Sequence, residues 1–179
     1  MLEAEEPALV VECLNGYRKK EPCPNNLGSF KVPLGEVEKI REGADLTMVS
    51  YGSTLHLCQE ACEQLADLGM EVELIDVQTL LPLDLHGGIA ESVARTNRLL
   101  VVDEDGPGGA SAYILDDVLN RQGAWKHLDG PASTLAAKPH LPAYGSDGDY
   151  FSKPSVEDVV DAAYELIREA SPSAYPSIR

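Results

Sequence analysis

Apolar positions fall in short blocks, and their period changes along the chain. LTMVSY (46–51) is a mostly apolar run that predicts a strand. From Thr54 to Leu68 the apolar positions are Leu55, Cys58, Ala61, Cys62, Leu65 and Leu68, the three-and-four spacing of one helix face. Ser53 or Thr54 is placed to cap that helix, and Gly69 to end it. MEVELIDV (70–77) predicts the next strand, followed by a weaker helix over 84–96, opened by Asp84 and carrying Ile89, Val93 and Ala94. RLLVVD (98–103) is a continuous apolar run, the pattern of a strand buried on both faces. A helix over 109–122, a strand at STLAA (133–137) and a helix over 156–169 complete the series. Pro154 and Ser155 open that last helix, and Val156, Val159, Val160, Ala163, Tyr164 and Ile167 form its buried stripe.

Strands alternating with helices at this spacing imply crossover connections and a mostly parallel sheet covered on both sides. The expected fold is therefore α/β: a three-layer α/β/α domain over 44–170 with a sheet of about five strands. Residues 1–43 are expected to be an arm and 171–179 a tail. Within the arm, ALVVEC (8–13) has the composition of a short strand, 14–31 is turn-rich and locally basic, and 32–43 is an extended lead-in ending at Gly43.

Charge narrows the classes of partner. Fourteen basic residues against 30 acidic ones give a net charge of −16, which opposes non-specific binding to nucleic acid or anionic lipid. No run approaches the roughly 18 apolar residues of a membrane span. The start lacks the basic and apolar regions of a signal peptide, so a bacterial cytoplasmic setting is expected. Four cysteines, at 13, 23, 58 and 62, form no CxxC pair. Cys58 and Cys62 share one helix face and are expected to be buried thiols.

In such a fold, ligands bind where the carboxyl ends of the strands open into loops. Gly52-Ser53-Thr54 is either a tight capped turn or an anion site made by backbone amides. Asp103-Glu104-Asp105-Gly106-Pro107-Gly108-Gly109-Ala110 has the placement of a dinucleotide loop. Its carboxylates repel phosphate, and Ser111 stands where a third glycine or alanine belongs. An acidic turn or a protein contact remains open there. Asp147-Gly148-Asp149 resembles a fragment of a calcium loop without the required spacing, and His140 is a lone histidine in a proline-rich loop. GxSxG, HExxH and GxxxxGK[ST] are absent, and the four histidines fall in four separate elements. The residues show no catalytic set, no cofactor-binding set and no metal-ligand set. A free-standing flavodoxin-like module binding a nucleotide or small molecule is the alternative.

Several segments in order carry a resemblance: Gly43-Ala44-Asp45-Leu46-Thr47, Tyr51-Gly52-Ser53, Asp76 to Asp84 (DVQTLLPLD), Asn97-Arg98-Leu99-Leu100 with Glu104, and Gly108-Gly109. Glu12 with Tyr17-Arg18, and the stretch from Pro139 to Ile167, extend it. Together they resemble the C-terminal domain of the transketolase superfamily, and more closely the β part of the E1 component of 2-oxo acid dehydrogenase complexes. Deoxyxylulose-phosphate synthase and transketolase share that domain. The GSDGDYFSKPS ending is most similar to branched-chain (2-oxoisovalerate) enzymes, with pyruvate dehydrogenase as competitor.

The resemblance implies a parent enzyme that uses thiamine diphosphate and Mg²⁺, both bound by domains outside this chain, with residues 1–43 as the end of a missing upstream domain and Met1-Leu2 as an added start. It implies as partners an E1 α part, an upstream pyrimidine-binding domain, a second copy, and the peripheral subunit-binding domain of an E2 acyltransferase. The domain itself is expected to be non-catalytic, serving assembly, active-site shaping and docking. Because such E2 domains are basic, the docking candidates are Asp103, Glu104, Asp105, Asp116, Asp117, Glu157, Asp158 and Asp161, and His140 is the candidate active-site neighbour.

Overall fold

The computed structural model describes residues 5–20, 22–26, 28–141, 144 and 148–177. Met1-Leu2 and Asp147 lie outside the described residues, as does the side chain of Asp149. Five strands are present: β1 (Glu38–Arg41), β2 (Leu46–Ser50), β3 (Val72–Asp76), β4 (Leu99–Val102) and β5 (Ser133–Leu135). They form one sheet in the order β1-β3-β2-β4-β5. All neighbours are parallel except β1, which runs antiparallel to β3. In the central register Val49 stands beside Ile75 on one side and Val101 on the other.

The helices are α1 (Thr54–Asp67), α2 (Gly88–Thr96), α3 (Ala110–Asp116), the short α4 (Gly148–Ser152) and α5 (Val156–Ala170). Successive strand side chains point to opposite faces, so each strand feeds two cores. Leu46, Met48, Val72, Leu74, Leu100 and Val102 pack under α1 and α5. Val49, Ile75, Leu99 and Val101 pack under α2 and α3. The result is the expected three-layer arrangement.

Four expectations are corrected. The strand over 8–13 is absent, because no strand among the described residues lies beside it to take its hydrogen bonds; Leu14–Arg18 instead forms a 3₁₀ turn. The sheet starts at Glu38, ahead of residue 44. Gly43 makes this possible: a Cβ there would stand 2.2 Å from the Glu73 nitrogen, so only glycine lets the chain cross β3 on its way from β1 to β2. The 84–96 helix begins at Gly88. Asp84, at φ 36°, stands outside it and accepts from the amides of Gly88 (2.9 Å) and Ile89 (2.8 Å). The 109–122 helix is α-helical only to Asp116 and then widens into a π-helical turn, Asp117–Arg121.

A 3₁₀ turn at Ala124–His127 carries Trp125 toward solvent. In the described part of the tail, Tyr175 packs edge-on against Tyr164, whose hydroxyl donates to the Pro176 carbonyl (2.8 Å).

Candidate functional site

β2 and β4 are neighbours, yet the helices that follow them lie on opposite faces of the sheet. Their carboxyl ends therefore part, and the crevice between them is where this architecture offers a ligand site. One wall is Tyr51-Gly52-Ser53 and the other is Asp103-Glu104-Asp105.

Side chains of the chain itself close this crevice. The Tyr51 hydroxyl donates across it to Asp103 Oδ1 (2.7 Å), and Ser53 Oγ donates to Glu104 Oε2 (2.7 Å). Lys153 reaches in from the segment before α5 and places Nζ 3.1 Å from the same Glu104 oxygen. Asp103 is 0 % exposed and does more. Its carboxylate accepts from the backbone amides of Asp105 (3.0 Å) and Ser111 (2.9 Å), the latter in the first turn of α3. The amide at this helix start is thus already occupied by an anion supplied by the preceding loop.

Burial raises the Tyr51 phenol well above its ordinary value. The hydrogen bond to Asp103 and the charges of Asp103, Asp105 and Glu104 push it further, so Tyr51 stays a neutral donor. At the other wall neither capping candidate caps α1: Ser53 is engaged with Glu104, and Thr54 Oγ1 donates to the Tyr51 carbonyl (2.8 Å).

A diphosphate does not fit here. Three carboxylates line one wall, and the amide that would greet a phosphate is bonded to Asp103. Among the described residues no group of three or more His, Cys, Asp and Glu stands together to hold a metal ion. The cofactor implied by the resemblance has no cradle at this edge.

Comparison with known proteins gives the family of the chain. Residues 35–153 match the family described as "Transketolase, C-terminal domain". The chain belongs to that family. The chain is 30% identical over 171 residues to the β subunit of acetoin:2,6-dichlorophenolindophenol oxidoreductase from Bacillus subtilis, covering 94% of the chain and 48% of that protein. It is 35% identical over 136 residues to the pyruvate dehydrogenase E1 component subunit β of Rhizobium meliloti, covering 76% of the chain and 29% of the relative. The chain thus spans half or less of the length of these relatives. A solved structure titled "Split gene transketolase, inactive beta4 tetramer" shares the fold, with a TM-score of 0.61 at 20% identity over 78% of this chain and 43% of that one.

The eight acidic docking candidates of this transketolase C-terminal domain fall into three places. Asp103, Glu104 and Asp105 sit at the carboxyl edge, Asp116 and Asp117 at the end of α3, and Glu157, Asp158 and Asp161 on α5 across the sheet. Two of them offer no docking surface. Asp103 is fully buried, and Asp117 is buried against Arg121, Nε and Nη2 of which reach it at 2.5 and 2.8 Å.

Others have internal partners: Glu104 holds Ser53 and Lys153, Asp116 accepts from Asn120 (2.6 Å), and Asp158 forms the capping box of α5 with Ser155. Asp105 and Glu157 are exposed. His140 is exposed on the loop leaving β5, its ring 5.4 Å from that of Phe151 and Nδ1 2.7 Å from the Leu141 carbonyl oxygen. It does not join the crevice. Sequence reasoning missed Lys153, which is 49 residues from its partner and carries no local signal. It also missed the Tyr51–Asp103 pair, although both residues directly follow strands.

Proposed function

We propose that this domain is the C-terminal part of a β-type E1 subunit from a thiamine diphosphate-dependent dehydrogenase of 2-oxo acids or acetoin. In this reading it is a non-catalytic piece that assembles the enzyme and docks its partners. The observation that carries it is the crevice filled by Asp103, Tyr51, Ser53 and Glu104 in a domain of this family. Relatives with β-subunit names support it, and their acetoin and pyruvate names favour those substrates over the branched-chain type.

In the parent, thiamine diphosphate with Mg²⁺ would supply decarboxylation and acyl transfer to an E2 lipoyl group, held by residues outside this chain. An E1 α part, an upstream pyrimidine-binding domain and a second copy complete the enzyme, in a bacterial cytoplasm. The structure titled as a β4 tetramer supports self-association. His140, exposed on a carboxyl-edge loop, is the residue offered toward the parent's active site.

Calorimetry of the chain with thiamine diphosphate and Mg²⁺ tests the non-catalytic reading. No binding heat is expected, and micromolar affinity overturns it. For docking, the accessible acids are Glu104, Asp105, Asp116, Glu157, Asp158 and Asp161. A basic E2 domain should bind less tightly as salt rises to a few hundred millimolar, since exposed charges are screened over about 8 Å. Affinity independent of salt removes the electrostatic part of the proposal.

A further inference from the structure

The arm is exposed along its described length up to Glu36, and burial interrupts it at two places. Gly35 is buried between exposed neighbours, and Cys13 is half-buried. Both contacts are made on loops that leave the carboxyl ends of adjacent strands. Gly35, at φ 79°, lies under Leu85 and Pro82 in the connection after β3. A Cβ there would come within 2.8 Å of Leu85 and 2.9 Å of Pro82. The Gly35 carbonyl also accepts from the Leu85 amide at 2.8 Å. Cys13 lies on Gly52 in the turn after β2, where a Cβ would stand 3.1 Å from Cys13 Sγ.

Between the two contacts the arm shows local turns. Gly16 N donates to the Cys13 carbonyl, Lys19 N to Gly16, and Ser29 N and Phe30 N to Asn26. The Tyr17 hydroxyl donates to Glu12.

We infer that the arm is a strap pinned to the carboxyl edge of the sheet at two points, hinged where Gly35 is gripped by Pro82 and Leu85 and latched where Cys13 rests on Gly52. The hinge is a backbone hydrogen bond plus a close approach that only glycine permits. The latch is one half-buried side chain, so the strap opens at the latch first. Opening frees Cys13 from the Gly52 turn beside the crevice between β2 and β4.

The chain's own cysteines read the strap directly. Cys23 lies exposed in it, and Cys13 is the latch. Cys58 and Cys62 are buried in the core, where burial pushes their thiols up to about 12 and about 11, so they are silent while the domain is folded. Alkylation with iodoacetamide, followed by mass spectrometry and normalised for each site to its rate in urea, should label Cys23 freely and Cys13 several-fold more slowly. Gly35→Ala should bring Cys13 to the Cys23 level while Cys58 and Cys62 stay unlabelled.

If Gly35→Ala exposes Cys58 or Cys62, the variant has unfolded and Leu85→Ala decides instead, with the same expectation for Cys13. Equal labelling of Cys13 and Cys23 in the unaltered chain overturns the latch. Slow labelling of Cys13 in a folded hinge variant overturns the hinge. No cofactor or partner enters the measurement, so its outcome is independent of the proposed enzyme.

Discussion

Beneath α1 and α5 the sheet presents Leu46, Met48, Val72, Leu74, Leu100 and Val102, with the Ser50 hydroxyl tied to the Val102 carbonyl. Beneath α2 it presents Thr47 and Glu73 among Val49 and Ile75. Thr47 Oγ1 lies 2.6 Å from Ser92 Oγ and 2.7 Å from Thr96 Oγ1, so one strand hydroxyl serves two helix hydroxyls. Glu73, 0 % exposed, is paired with Arg95 Nη2 at 2.5 Å and Lys39 Nζ at 3.4 Å. The first face is held by area and shape, and tolerates small slides of its helices. The second is held by partners that meet in one register, so α2 has one way to sit.

The largest effect expected from a single change belongs to the apolar face. Leu65→Ala removes a fully buried side chain and should cost about 3 kcal/mol in urea unfolding. A loss below about 1 kcal/mol would mean that this face repacks freely.

Glu73→Gln on the polar face should cost about 2 kcal/mol. That is less than a fully buried pair would lose, because Arg95 is 49% exposed and turns to water. This cost should depend on pH. Burial alone would raise the Glu73 carboxyl, but hydrogen bonds from Ser92 and Arg95 and the charges of Arg95 and Lys39 outweigh it and hold it below its ordinary value. Its stabilisation is therefore complete above about pH 5 and lost as pH falls through the lowered value. The gap between the unaltered chain and Glu73→Gln should close on acidification; a constant gap would show that the carboxylate is not the stabilising form.

Thr47→Val leaves Ser92 and Thr96 without their shared partner and should cost about 1–2 kcal/mol. Ser155→Ala, at the start of α5, should cost about 1 kcal/mol through loss of its cap. If Ser155→Ala proves costlier than Thr47→Val, the hydroxyl cluster does not specify the second face.

The same contrast separates what the sequence made legible from what it hid. The stripes of α1 and α5 are legible because an apolar face buries an apolar stripe and the period survives, except at Leu68, which is predicted on the α1 face but lies past the helix end and is exposed. α2 looked weak because Ser92 and Thr96 sit in its buried face, and their partners lie on another element. Its start was misplaced because Asp84 works as a ligand for the helix amides from outside the helix. The turn of Asp117–Arg121 carries no periodic signal. Arg121 there bonds Asp117 and the carbonyls of Leu83 and Asp84, a tie visible only once the chain has folded. ALVVEC has the composition of a strand, but a strand needs a neighbour as well as a pattern. The loops of the candidate site could be located from the ends of apolar runs. That they close on each other could not.

Trp125 has a practical consequence for all these measurements. It is the chain's one tryptophan, and it stands 65% exposed on the turn between α3 and β5. Its emission should already be red-shifted in the native protein and shift little on denaturation. Far-ultraviolet circular dichroism will report the loss of the two cores, and the indole will report what binds near His127 and Asp129.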